Sequence, residues 1–151
     1  MGVNDLYWME KAYALAVHAE HQGEVPVGAI LVSEDNILLG EGYNQVLTCH
    51  DPTAHAEIVA LRRAGLKNSN YRLNKTTLYV TLEPCCMCAG ALVHARVERL
   101  VFATRDPKAG ACGSCYQLLS GEVLNHKVKI DEGILQQACA DLLINFFKIR
   151  R

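Results

Sequence analysis

The chain has 151 residues, half of them hydrophobic and 21% charged, which is the make-up of an ordinary globular domain long enough to bury a core. No apolar run approaches the roughly 20 residues of a membrane span, and seven cysteines, an odd number with several clustered, argue against a disulfide scaffold and for reduced thiols, some of them metal ligands. The net charge of −1 hides an asymmetry: residues 1–61 hold one Lys/Arg against nine Asp/Glu, and residues 62–151 hold fourteen against seven, which permits a basic face without requiring one.

Apolar residues recur at helical spacing over residues 4–22 (Leu6, Met9, Tyr13, Ala16, Val17), and Gly23 stops the pattern. Residues 27–32 read as a strand, 33–36 as a turn and 37–43 as a second strand, together a hairpin. Asp51 and Pro52 suit the N-cap and first position of a helix reaching about residue 64 and ending at Gly65. Residues 66–75 are a polar loop, 76–82 a strong strand ended by Pro84, and 85–95 a buried helix rich in Ala, Met, Leu and Val. A strand at 99–104, a glycine-containing loop at 106–114 and a short strand at 128–130 follow. A closing helix over 131–150 is expected to bury Ile134, Leu135, Leu142, Leu143, Phe146 and Phe147. There is no repeat, low-complexity tract or linker, so 1–151 reads as one domain. The order α-β-β-α-β-α-β-(β)-α predicts a three-layer α/β/α sandwich around a mixed sheet. The acidic and aromatic residues within 1–10 do not read as a signal peptide, and the expected location is the cytoplasm.

Two segments carry chemistry. One is Thr53-Ala54-His55-Ala56-Glu57 at a helix start; the other is Glu83-Pro84-Cys85-Cys86-Met87-Cys88, where a strand hands over to a helix. Cys85 and Cys88 at i and i+3 share a helix face and can grip one ion, whereas Cys86 lies about 100° around and points elsewhere. One imidazole and two thiolates leave the fourth tetrahedral position of a zinc ion for water, the mark of a catalytic rather than a structural site. Glu57, two residues after His55, diverges from it on the helix and is placed to move protons beside that water instead of ligating. Either segment alone is weak: a Cys-x-x-Cys can be redox-active, half of a structural zinc site or plain core. In this order they match the H-x-E…P-C-x-x-C signature of zinc nucleobase deaminases. A second pair, Cys112 and Cys115, lacks partners at ligand spacing, His126 being the one conceivable addition, and reads as incidental. Cys49 and Cys139 read as bystanders, and His18, His21, His50, His94 and His126 follow no ligand pattern.

From about Tyr7 to Arg151 the sequence resembles the bacterial tRNA-specific adenosine deaminases, which convert the wobble adenosine of an anticodon to inosine. The matching stretches are residues 24–29 (EVPVGA), 50–57 (HDPTAHAE), 70–73 (NYRL), 78–91 (LYVTLEPCCMCAGA), Arg105-Asp106, and Phe146, Phe147, Arg150 and Arg151. The resemblance implies a cytidine-deaminase-like fold and one Zn2+ per chain on His55, Cys85 and Cys88, activating the water that attacks C6 of adenine. It implies that Glu57 takes a proton from that water, delivers one to ring N1 and helps ammonia depart. It further implies that Asn44 hydrogen-bonds the flipped base and that the Ala56 N–H meets the attacking oxygen. Pro26 and Val27 would wall the base pocket, Asp106 would touch a neighbouring sugar hydroxyl, and Phe146 with Arg150 would face the tRNA anticodon loop. Members are homodimers whose sites draw on both subunits, and no membrane is involved. Two features depart from the family pattern: Cys112 and Cys115 stand where other small or polar residues are expected, and many relatives continue past the position of Arg151.

Two other functions share these residues. A deaminase of a free base or nucleoside such as guanine or cytidine would carry the same zinc site, and residues 70–73, Arg105-Asp106 and the aromatic-basic final helix are what favour tRNA. An RNA-binding module with structural zinc is the non-enzyme alternative, and the intact Glu57 speaks against it.

Overall fold

The computed structural model describes residues 3–121 and 124–150. Its elements are α1 (Val3–His21), β1 (Gly28–Ser33), β2 (Leu38–Tyr43), α2 (Ala56–Asn68), β3 (Thr76–Leu82), α3 (Cys86–Ala95), β4 (Arg99–Thr104), β5 (Lys129–Glu132) and α4 (Gln136–Ile149). The strands form one mixed sheet in the order β2-β1-β3-β4-β5, with β1 antiparallel to β2 and β3, and β4 parallel to β3 and β5. No helix among the described residues is long and apolar enough to cross a membrane.

Alternation along the strands builds the layers. Ala29, Leu31, Leu78, Val80, Leu100 and Phe102 face α2 and α3, where they pack on Ala56, Ala60, Ala64, Ala89, Leu92 and Ala95. The intervening Ile30, Val32, Tyr79, Val101 and Ala103 face the other way, onto Trp8, Met9 and Ala12 of α1 and Cys139 of α4. The result is the expected α/β/α sandwich with both sheet faces covered. On the α1 side, Asp5 receives a hydrogen bond from the Tyr79 hydroxyl (2.6 Å) and pairs with Arg99 (2.8 Å), which also reaches Asp131 (2.8 Å), tying α1, β3, β4 and β5 together.

Several boundaries differ from the sequence reading. In α1 the buried stripe is Trp8, Met9, Ala12, Ala16 and Ala19, while Leu6 is exposed. The helix lies so close to β1 that a Cβ at Gly28 would collide with the Ala12 carbonyl, and this selects alanine over leucine. Asp51 does not cap α2: its carboxylate accepts from the Thr53 N–H (2.9 Å) and hydroxyl (2.8 Å) in a local turn, and the helix starts at Ala56 with His55 at the N-cap. Gly65 sits inside α2, which ends at Ser69 in the left-handed conformation. The last strand runs to Glu132, so α4 begins only at Gln136, after turns at Gly133 and Leu135. Within α4, Cys139 and Phe146 are buried, whereas Phe147, expected in the core, is 45% exposed. Arg151 lies outside the described residues.

The outer edge of β2 is occupied by α2 side chains: Arg63 Nη1 donates to the Glu41 carbonyl (3.0 Å) and Lys67 Nζ to the Leu38 carbonyl (3.1 Å). Glycines let α2 lie flat on this strand, since a Cβ on Gly42 would come within 2.5 Å of the Ala56 carbonyl oxygen. Gly42→Ala is therefore expected to cost about 2–3 kcal/mol of stability, a fall in Tm of roughly 5–10 °C by thermal denaturation.

Candidate functional site

The topology gathers one end of four strands at a single edge. Strands β2 and β3 both run opposite to β1, so Asn44 after β2, residues 83–85 after β3, residues 105–108 after β4, and Pro26 and Val27 before β1 share that edge. The carboxyl ends of parallel strands are where open α/β sheets place their ligands.

Two helices start there, and their N-caps are His55 and Cys85, both extended (ψ 154° and 179°) and neither using its side chain to cap. Their side chains meet instead: His55 Nδ1 lies 3.6 Å from Cys85 Sγ and 3.5 Å from Cys88 Sγ. These are the only three His, Cys, Asp or Glu side chains among the described residues whose ligand atoms converge, all within 4.8 Å. Zinc bonds of about 2.3 Å to sulfur and 2.05 Å to nitrogen at tetrahedral angles put the two ligand atoms about 3.6 Å apart. The donor set and its spacing therefore fit zinc, with one coordination position left open. Cys86 is exposed and outside the cluster.

The protonation of the group follows from its contacts. Hydrogen bonding from Cys88, then from His55, pulls the Cys85 thiol down to about 3, and the free N–H groups of the first turn of α3 favour the same thiolate. The shared proton and burial push Cys88 up, and the bond to Cys85 raises His55. Glu57, in the first turn of α2, is 4% exposed. Burial raises its carboxyl to about 7, against partial relief from backbone hydrogen bonding and from the Cys88 side chain.

The other expected residues are placed as follows. Asn44 Oδ1 accepts the Ala56 N–H at 2.8 Å, so that N–H, expected to meet the attacking oxygen, is already engaged. The same bond leaves the Asn44 amide group as a donor. Pro26 is buried, and Val27 belongs to the core beneath the site. Asp106 uses Oδ1 to accept the Lys108 (3.0 Å) and Ala109 (3.2 Å) N–H groups, which turns the loop after β4. Phe146 is 4% exposed with the Arg150 guanidinium 3.7 Å above its ring, so the ring available to a partner is that of Phe147. Cys112 is buried, Cys115 is exposed, and the His126 ring donates to the Val97 carbonyl (2.7 Å), which separates all three from any metal cluster.

Two buried carboxylates escaped the sequence reading. Glu24 accepts from the Leu47 N–H (3.1 Å), the Thr48 N–H (2.7 Å) and the Thr48 hydroxyl (2.7 Å), holding the loop between Asn44 and His55. Glu83 accepts from the Asp106, Cys112 and Ser114 N–H groups and the Ser114 hydroxyl. Burial raises both, but these donors outweigh it and keep each carboxyl below its usual range. Nothing in the sequence marks either role, since residue spacing does not distinguish a buried Glu from a surface one.

Comparison with known proteins adds the lineage. The family described as MafB19-like deaminase matches residues 3–151. A tRNA-specific adenosine deaminase of Haemophilus influenzae is 48% identical over 143 residues, covering 95% of this chain and 83% of the relative. The chain belongs to the tRNA-specific adenosine deaminase family. A Streptococcus pyogenes member is 36% identical over 142 residues, covering 94% of this chain and 89% of its own length. A structure from a study of A-to-I editing by tRNA:A34 deaminases at the wobble position of transfer RNA superposes with a TM-score of 0.87 at 38% identity, over 91% of this chain and 99% of that one. A guanine deaminase from Nitrosomonas europaea superposes at 0.80 with 25% identity, over 93% and 83% of the two chains. The sheet and helices are thus the cytidine-deaminase-like fold of the family.

Cys85→Ala and Cys88→Ala are each expected to lose bound zinc, whereas Cys86→Ala should retain about one ion per chain, measured by inductively coupled plasma mass spectrometry on purified protein.

Proposed function

We propose that this chain hydrolytically deaminates adenosine to inosine at the wobble position of a tRNA anticodon, as one zinc-dependent domain spanning residues 1–151. The supporting observation is the buried Glu57 carboxyl beside a three-residue cluster of zinc geometry, in a chain 48% identical to a tRNA-specific adenosine deaminase. His55, Cys85 and Cys88 are the residues that would hold the ion. Zinc, when bound there, supplies an activated water as the nucleophile for C6 of the flipped base.

The protein's own groups supply the rest. Glu57, shut off from bulk solvent, takes a proton from that water and delivers it to adenine N1, then takes the remaining hydroxyl proton and passes it to the C6 amino group, which leaves as ammonia, work that in general contributes about 10²–10⁴ in rate. Asn44, pinned through Oδ1 to α2, turns its amide N–H toward an acceptor on the purine edge. Pro26, Val27 and the first turn of α2 form the floor below the base.

Beside this site a cleft of about 750 Å3 opens between residues 104–108 and α4, lined in part by Arg105, Lys108, Lys148, Ile144 and Phe147. Its lysines and exposed ring suit phosphates and an unstacked base of the anticodon loop, while Arg105 is paired with Glu132 (2.8 Å). Asp106, which lines the cleft, would meet a sugar hydroxyl, and Arg150 stays near the same strip of α4 as the support of Phe146. On the opposite helix layer, α2 and α3 frame an apolar groove of about 1040 Å3 lined in part by Ile58, Leu61, Tyr71, Leu73 and the exposed Leu66. A second copy of the chain would cover it, giving the homodimer. A tRNA-modifying enzyme of this kind acts in the cytoplasm.

The superposition on a guanine deaminase supports a second reading, action on a free purine base. Incubation with tRNA carrying an anticodon adenosine decides between them: inosine and ammonia are expected, and turnover of guanine without tRNA turnover would overturn the first choice. Glu57→Ala is expected to abolish inosine formation while zinc content stays at wild-type level. Leu66→Glu is expected to shift the protein from dimer to monomer in light scattering.

A further inference from the structure

Glu83 stands between the last residue of β3 and the Pro84-Cys85 turn that carries a proposed zinc ligand, yet its side chain serves the loop after β4. The carboxylate is 2% exposed and uses both oxygens. Oε1 accepts the Asp106 N–H (3.0 Å) and the Ser114 hydroxyl; Oε2 accepts the Cys112 N–H (2.9 Å) and the Ser114 N–H (3.0 Å). The loop wraps this group closely enough that a Cβ at Gly110 would collide with it. Its own backbone closes the ring, with Gly110 N–H on the Asp106 carbonyl (2.9 Å), Cys115 N–H on the Gly110 carbonyl (2.9 Å) and Ala111 N–H on the Pro84 carbonyl (2.9 Å).

Residues 105–115 contain no helix or regular strand, and a segment of this kind keeps one shape only through such internal ties. All four groups aimed at Glu83 are donors. A carboxylate satisfies them all, whereas an amide would turn an NH2 toward N–H groups. Residues 105–108 of the loop line the cleft, and the first tie falls on the Asp106 N–H, two residues before Lys108.

We propose that Glu83 is a positioning residue for RNA recognition: it fixes the 105–115 loop so that Asp106 and Lys108 meet the anticodon, without itself touching substrate or metal. This rests on the tRNA reading above. A residue with this role governs how well tRNA is held more than how fast the bound base reacts.

The test compares wild type, Glu83→Gln and Ser114→Ala as full-length, zinc-loaded proteins, by steady-state kinetics on tRNA and by amide hydrogen exchange. For Glu83→Gln the expectation is exchange about tenfold faster at the Asp106, Cys112 and Ser114 amides and a KM for tRNA about tenfold higher. In that variant kcat should stay within about threefold and zinc content should be unchanged, a split that a general loss of folding does not produce. Ser114→Ala, which removes one hydroxyl donor, should raise KM about twofold. Wild-type protection of the three amides in Glu83→Gln would overturn the proposal, as would a fall in kcat at unchanged KM. If Glu83→Gln does not fold, an unchanged KM in Ser114→Ala overturns it. Wild-type protein inactive on tRNA would overturn the functional reading instead, recognisable because the exchange response to Glu83→Gln would persist.

Discussion

The N-terminus of α2 reaches the N-terminus of α3 only because α2 lies flush on the β1–β2 hairpin. Glycines at 40 and 42 remove the side chains that would hold the helix off the strand, and Ala56, Ala60 and Ala64 meet them with the smallest helix-forming side chain. A shift of α2 by the width of a methyl group would open the contacts of 3.5 and 3.6 Å between His55 and the two sulfurs. Zinc tolerates little error in such distances. The packing of the hairpin layer and the chemistry of the site are thus one constraint, and alanine-rich helices on a glycine-bearing sheet are what it demands of the sequence.

Three buried glutamates show how donors decide the state of a carboxylate. Glu24 and Glu83 collect three and four hydrogen bonds from backbone and hydroxyl groups and are held ionised as structural anions. Glu57 is equally shielded from water but lacks such a set, and burial lifts it to about 7. Residues of one type are divided between scaffold and chemistry by the number of N–H groups aimed at them.

The layer order and the metal cluster were legible in the sequence because each rests on a local pattern. Strand alternation sets the sheet faces, and the Cys-x-x-Cys spacing joins Cys85 to Cys88, although Cys85 stands at the extended N-cap and not on the helix face expected of it. What was not legible depends on long-range contact. Asp51-Pro52 carries a strong helix-start signal, but Asp51 spends it on Thr53, three residues before the helix begins. Phe146 and Phe147 are adjacent and chemically alike, and only the docking angle of α4 chooses which is covered. Glu24 and Glu83 look in the sequence like surface acids, since the N–H groups that hold them come from 23 to 31 residues away.

The side chains of Arg63 and Lys67 lying along β2 also bear on how copies of the chain can meet. An edge strand with free carbonyls invites another strand to extend the sheet, the route to open-ended stacking. Here two cations already occupy carbonyls of that edge, and they come from the same helix that offers its apolar side to the groove beside α3. One helix therefore closes the backbone route to association with its basic face and opens a side-chain route with its other face. Growth by sheet extension has no end point, whereas a two-fold contact through one helix layer, as proposed above, closes at a pair.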